Sequence, residues 1–138
     1  MTEPADPLEA GLLLADAMKA HSVSYALGGA LAFGLWGIPR ATVDVDINVF
    51  VTQDGLDGVF AALRSAGVTF HEDAARDQNA RDGAFTAHFG QYRVDVFSAS
   101  VDFSWEAERT KVQPRIDNRE AWFLSAEALA VFKLLFFR

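Results

Sequence analysis

Residues 43–49 constrain the chain more tightly than any other stretch. Val43, Val45, Ile47 and Val49 alternate with Asp44, Asp46 and Asn48, the period-two pattern of a β-strand with one apolar and one polar face. On such a strand Asp44 and Asp46 point the same way, roughly 6.5–7 Å apart along the backbone. Two carboxylates on one face repel each other and gain nothing from burial, so the pair calls for a counter-charge. A divalent cation supplies it most simply. Hard oxygen ligands suit magnesium or manganese, which keep several waters and take one or two carboxylates together with substrate phosphates. On its own, Asp-x-Asp is more often a solvated strand edge than a metal site.

What precedes the strand adds a second half to that chemistry. An apolar stretch, residues 24–27, ends in Gly28-Gly29 and passes into the short apolar segment 30–36. A glycine pair after a strand can be a simple turn. At the start of a helix it also exposes backbone N–H groups to the positive end of the dipole, where an anion such as phosphate is favoured. A phosphate cradle and a pair of metal-binding carboxylates form one chemical unit.

The glycine pair followed by R-x-T-x-D-x-D resembles the nucleotidyltransferase superfamily with the polymerase-β-like fold. The likeness runs through Gly28, Gly29, Arg40, Thr42, Asp44 and Asp46. Within the superfamily it is most similar to the AbiEii-type, minimal nucleotidyltransferase branch of toxin–antitoxin and phage-defence operons. The resemblance implies an α+β (α/β) chain with a mixed β-sheet flanked by helices. It also implies Mg2+ or Mn2+ as cofactor, an NTP as substrate, and NMP transfer to a hydroxyl of RNA (a tRNA end among them), of a protein or of a small molecule. Gly28, Gly29, Arg40, Thr42 and Lys133 would bind the nucleotide. Asp44 and Asp46 would hold metal with a third carboxylate on a neighbouring strand. A cognate antitoxin or a second copy of the chain is the implied protein partner.

Asp95 answers to that third position on its own merits. It is the one carboxylate in the run VDVF, and an Asp among apolar strand residues is costly unless paired, hydrogen-bonded or metal-bound. Sheet pairing must bring it to Asp46; Asp102 is the alternative if the register differs. Lys133 has two readings, a triphosphate contact or a lysine whose stem covers core while its ammonium reaches water. Arg40 can bind phosphate or pair with Asp44, and Thr42 can hydrogen-bond the Asp44 carboxylate.

Composition narrows the class. The 138 residues suit one domain, and 51% apolar content with 12 Phe and 3 Trp is that of a chain with a real core. There is no apolar run long enough for a membrane span, and the acidic start MTEPADPLEA lacks the pattern of a secretory signal. Absence of cysteine rules out disulfides and thiolate metal sites and fits a cytoplasmic protein. A net charge of −7 is unlike a general nucleic-acid binder, which presents a basic face.

In chain order, the pattern predicts a helix over Pro7–Ala20, with Asp6 as N-cap and Pro7 in the first turn. A strand at 24–27, a buried helix at 30–36 stopped by Gly37-Ile38-Pro39, and the Asp strand follow. A helix then ends at Ala66, with Leu56, Val59, Phe60 and Leu63 inward and Gly67 as its stop. Residues 68–71 read as a short strand, and HEDAARDQNARDG as a mobile surface loop. A hairpin comes next, Ala84–Phe89 and residues 92–98 about a Gly90-Gln91 turn. Residues 100–119 carry no clear pattern; Pro114 argues against a central strand there. Residues 121–124 read as a last strand presenting Trp122 and Phe123 to the core. Ser125 caps a final helix so apolar that the chain is expected to be truncated or to rely on a partner.

Two other classes of protein fit the same residues. One is a non-catalytic nucleotide- or metal-binding, antitoxin-like regulatory module. The other is an interaction protein whose Asp strand is only a solvated edge.

Overall fold

The computed structural model describes residues 3–35, 44–116 and 118–136. Arg40 and Thr42, like the Gly37-Ile38-Pro39 stop, lie outside the described residues. The fold is α+β: a four-stranded mixed sheet flanked by helices. The strands are β1 (Tyr25–Leu27), β2 (Asp44–Val49), β3 (Ala84–Phe89) and β4 (Tyr92–Phe97), in the order β1-β2-β4-β3. β1 runs antiparallel to β2 and β3 to β4, while β2 and β4 are parallel.

Period-two alternation divides this sheet into two unlike faces. Val45, Ile47 and Val49 of β2, Val94 and Val96 of β4, and Phe85 and Ala87 of β3 are buried on one face. Helices α1 (Pro7–Ala20) and α3 (Leu56–Ala66) supply Leu14, Met18, Leu56, Phe60 and Leu63 to the same core. α1 begins where its cap requires: Asp6 accepts a hydrogen bond from the Glu9 amide at 2.8 Å. α3 ends at Gly67 in a left-handed turn, φ 94°. The opposite face carries Asp44, Asp46, Asn48, Arg93 and Asp95, and α2 (Gly29–Leu35) packs against β2.

The stretch HEDAARDQNARDG is not a loop. It forms helix α4 (Glu72–Asp82), with the His71 imidazole accepting from the Ala74 amide at its start and Gly83 closing its end. Ala, Arg and Gln are strong helix formers, but only Ala75 and Asn79 are buried, so no apolar stripe betrays the helix in the sequence. Polar contacts hold it instead. Arg76 pairs with Asp57 and Glu72, and Arg64 with Glu72. Asn79 Nδ2 donates to Gln53 Oε1 at 2.5 Å while Gln53 Nε2 donates to the Arg76 carbonyl at 3.1 Å. Replacing Asn79 by Ala should lower stability by about 1 kcal/mol, because the bond to Gln53 is lost while the buried, unpartnered Asn79 Oδ1 is removed with it. Equilibrium urea unfolding checks this, and an unchanged midpoint would show that the Gln53 bridge contributes nothing.

Two expected strands shrink to single bridges. Thr69 pairs with His88 at the outer edge of β3, and Phe123 bridges Leu27 and Val112. Trp122 is only half-buried, its indole beside the Lys111 ammonium. The patternless stretch holds helix α5 (Phe103–Thr110) and a two-residue ribbon of β5 (Arg115–Ile116) and β6 (Arg119–Glu120), apart from the main sheet. The last helix, α6 (Ala126–Phe136), is capped by Ser125, whose Oγ accepts from the Ala128 amide. It buries Ala128, Leu129 and Phe132 and leaves Leu134 73% exposed, so only one side of its apolar surface is covered.

Candidate active site

Parallel pairing of β2 with β4 sets Asp46 directly beside Asp95 and Asp44 beside Arg93. Neighbouring strands lie about 4.8 Å apart, so residues far apart in sequence share one small patch of the polar face. Asp102, the alternative third carboxylate, sits instead at the start of α5. Asp44 is exposed, while Asp46 and Asp95 are half-buried.

Asp46 also meets the glycine pair. Gly29 has φ +54°, a left-handed conformation that side chains with a Cβ rarely adopt. A Cβ there would stand 2.7 Å from Asp46 Cγ and 2.9 Å from Asp46 Cβ, and closer still to Oδ2. The Asp46 carboxylate therefore lies over the bare backbone of Gly29. Gly28 is packed between Asn48 and Leu124. Its N–H donates to the Asp46 carbonyl at 2.9 Å, so this amide extends the β1–β2 ladder and is already spent. Of the expected cradle, only amides beyond Gly28 remain for a phosphate.

Electrostatics mark Asp46 as the strained member. Burial first, then repulsion from Asp95 and Asp44, push its carboxyl up to about 7, with Arg93 opposing. Asp95 is better compensated. Its Oδ1 accepts from Arg93 Nε at 3.0 Å and from Thr86 Oγ1 at 3.2 Å. Arg93 and Thr86 were not among the expected site residues. The signal for Arg93 was its place two residues before Asp95 on the same strand face; Thr86 becomes visible only once β3 is registered against β4.

Hard oxygens at Asp44, Asp46 and Asp95 are the right donors for magnesium or manganese. The excess negative charge that raises Asp46 is what a cation would relieve. Among the described residues no three acidic or histidine side chains form a ready-made metal cluster. Lys133 is exposed on α6. That helix reaches the same sheet face through Phe136, whose ring lies 5.5 Å from Phe97, but sheet register does not place Lys133 with the carboxylates. A separate cavity of about 300 Å3, lined by Ser24, Tyr25, Lys111 and Trp122 among others, opens at the end of β1 remote from Gly28.

The chain shares its fold with solved nucleotidyltransferases. A candidate nucleotidyltransferase from Thermotoga maritima superposes with a TM-score of 0.64 at 16% identity, over 93% of this chain and 83% of that one. ANT(2″)-Ia in complex with adenylyl-2″-tobramycin gives 0.60 at 20% identity, over 88% and 70%. The lincosamide antibiotic adenylyltransferase LnuA with lincomycin bound gives 0.55 at 14%, over 85% and 79%. Identities this low establish the fold and leave the reaction to the site. No family model and no curated protein sequence matches the chain. Among the described residues no helix is long and apolar enough to cross a membrane.

Proposed function

We propose that the chain is a metal-dependent nucleotidyltransferase that moves an NMP from an NTP to an acceptor hydroxyl. The observation that carries this reading is the β2–β4 register, which sets Asp95 beside Asp46 next to the glycine turn. Asp44, Asp46 and Asp95 would hold Mg2+ or Mn2+, which when bound neutralises the phosphate charge that carboxylates alone would repel. Backbone amides beyond Gly28 would hold phosphate oxygens, with Arg40, Thr42 and Lys133 as further nucleotide contacts. Asp95 would take the proton of the acceptor hydroxyl as that oxygen bonds to the α-phosphorus. The bond from the α-phosphorus to its bridging oxygen breaks, and pyrophosphate leaves. Positioning and charge compensation do most of the work.

The neighbours bound to adenylyl-tobramycin and to lincomycin favour a small-molecule hydroxyl as acceptor over RNA, as does the net charge of −7. The AbiEii-type, toxin–antitoxin assignment, with a cognate antitoxin or second copy as partner, is a narrower form of the reading and rests on the motif alone. A second reading draws on Arg93, which already neutralises Asp95: a module that binds nucleotide without transferring it.

Calorimetric titration of each of the four NTPs, with and without Mg2+, tests the proposal on wild type and Asp44→Asn. Magnesium-dependent binding of one NTP, weakened at least tenfold in the variant, is expected. Binding with no nucleotidylated product from any hydroxyl acceptor would favour the second reading. Absence of binding by all four would overturn both.

A further inference from the structure

Gln78 and Thr86 link helix α4 to the Asp95 carboxylate on β4. β3 is the outer strand, and Thr86 faces Asp95 across the β3–β4 ladder. The Thr86 amide donates to Gln78 Oε1 of α4 at 3.1 Å, so it points away from β4. Residues opposite one another in an antiparallel pair exchange both backbone bonds or neither. Thr86 and Asp95 therefore form a non-hydrogen-bonded pair, the kind whose side chains approach most closely. That approach brings Thr86 Oγ1 to Asp95 Oδ1, the oxygen that Arg93 Nε also holds. Both donors converge on Oδ1, and neither occupies Oδ2.

From this geometry we infer that Thr86, held in place by Gln78, is a positioning residue: with Arg93 it clamps Oδ1 of Asp95 so that Oδ2 is presented to the metal and the acceptor. A carboxylate free to rotate would spread its oxygens over many directions, whereas two donors on one oxygen fix its plane and hold the other oxygen facing away from them. The polar helix α4 thereby acquires a role beyond covering the edge of β3: it sets the strand that aims the carboxylate. This inference rests on the proposed function, because it takes Asp95 to be a metal ligand.

Mn2+ binding to the full chain, followed by electron paramagnetic resonance, tests it without any activity assay. Thr86→Val keeps the shape and removes the donor; Thr86→Ser keeps the donor and loses a methyl. Loss of such a supporting bond commonly costs roughly tenfold in metal affinity, so Val should weaken Mn2+ binding by about that factor and Ser should restore it. Stability should follow another order, because Val suits a strand better than Ser. A merely structural Thr86 would therefore make the Ser variant the weaker binder. Mn2+ affinity of Thr86→Val equal to wild type, with Asp95→Asn impaired, would overturn the clamp alone. Wild-type affinity in Asp95→Asn would overturn the metal assignment and the clamp with it.

Discussion

Asp46→Asn is expected to make the metal-free protein more stable at pH 8 while removing its ability to bind Mn2+. In the folded chain burial and the neighbouring carboxylates push the Asp46 carboxyl from 3.8 up to about 7. Between those two values the folded state holds a proton that the unfolded state has released. Stability from this group is thus fully present below about pH 4 and is lost as pH rises through 7. At about 1.4 kcal/mol per unit, the loss reaches about 4 kcal/mol as an upper bound, and half of that is a fair expectation after solvent relaxation. From pH 5 to pH 8 about two of those roughly three units are crossed, so thermal unfolding in EDTA should show the wild-type midpoint falling by on the order of 5 °C. The amide cannot ionise, so the variant should lack that fall. Mn2+ should then raise the midpoint of wild type at pH 8, by mass action on the folded state, and leave the variant unmoved. A flat wild-type profile, or a variant less stable than wild type at pH 8, would remove the electrostatic account of Asp46.

Local signals were legible where a single residue type decides the outcome. Asp6 before Pro7 places the start of α1, Gly67 stops α3, and Gly90 turns the hairpin at the expected position. The alternation of β2 separates Val45, Ile47 and Val49 from the carboxylates at the expected parity. α4 escaped because its stabilisation is polar and tertiary: Gln53, Asp57 and Arg64 come from other elements, and no periodicity within residues 72–82 reports them. The carboxylates themselves were readable as chemistry, and their meeting through sheet pairing was expected, but the register that brings it about was not. Asp95 as a lone acid in VDVF raises a question that only the parallel register with β2 answers. Thr86 was lost for the same reason, since its bond to Asp95 crosses from β3 to β4, whereas Arg93 was on the same strand face two residues away. Likewise Gly28 looked like half of an anion cradle, whereas its amide belongs to the sheet.

Gly29→Ala should produce the largest combined loss, in stability and in metal binding alike. Two separate penalties meet at that residue. A Cβ in the left-handed region at φ +54° costs roughly 1–2 kcal/mol. The same Cβ would also intrude on Asp46, 2.7 Å from Cγ and 2.9 Å from Cβ, so the carboxylate must swing away or the backbone must shift. Moving the backbone pulls on the Gly28 amide, which is bonded to the Asp46 carbonyl. Moving the carboxylate takes it out of the patch it shares with Asp95. Mn2+ affinity should therefore fall as far as it does in Asp46→Asn, although residue 29 carries no ligand atom. A double-mutant cycle separates the two penalties. In an Asp46→Ala background the Cγ and Oδ2 collisions vanish, and Gly29→Ala should cost its backbone term and the remaining 2.9 Å contact with the residue-46 Cβ. Residues in contact couple by about 0.5–3 kcal/mol, whereas independent sites add within a few tenths. Equal unfolding costs in the two backgrounds would mean that Asp46 does not lie over Gly29, and the glycine turn and the carboxylates would no longer form one site. A clear coupling would tie the turn to the Asp strand energetically, as a phosphate cradle must be tied to the metal that shares its ligand.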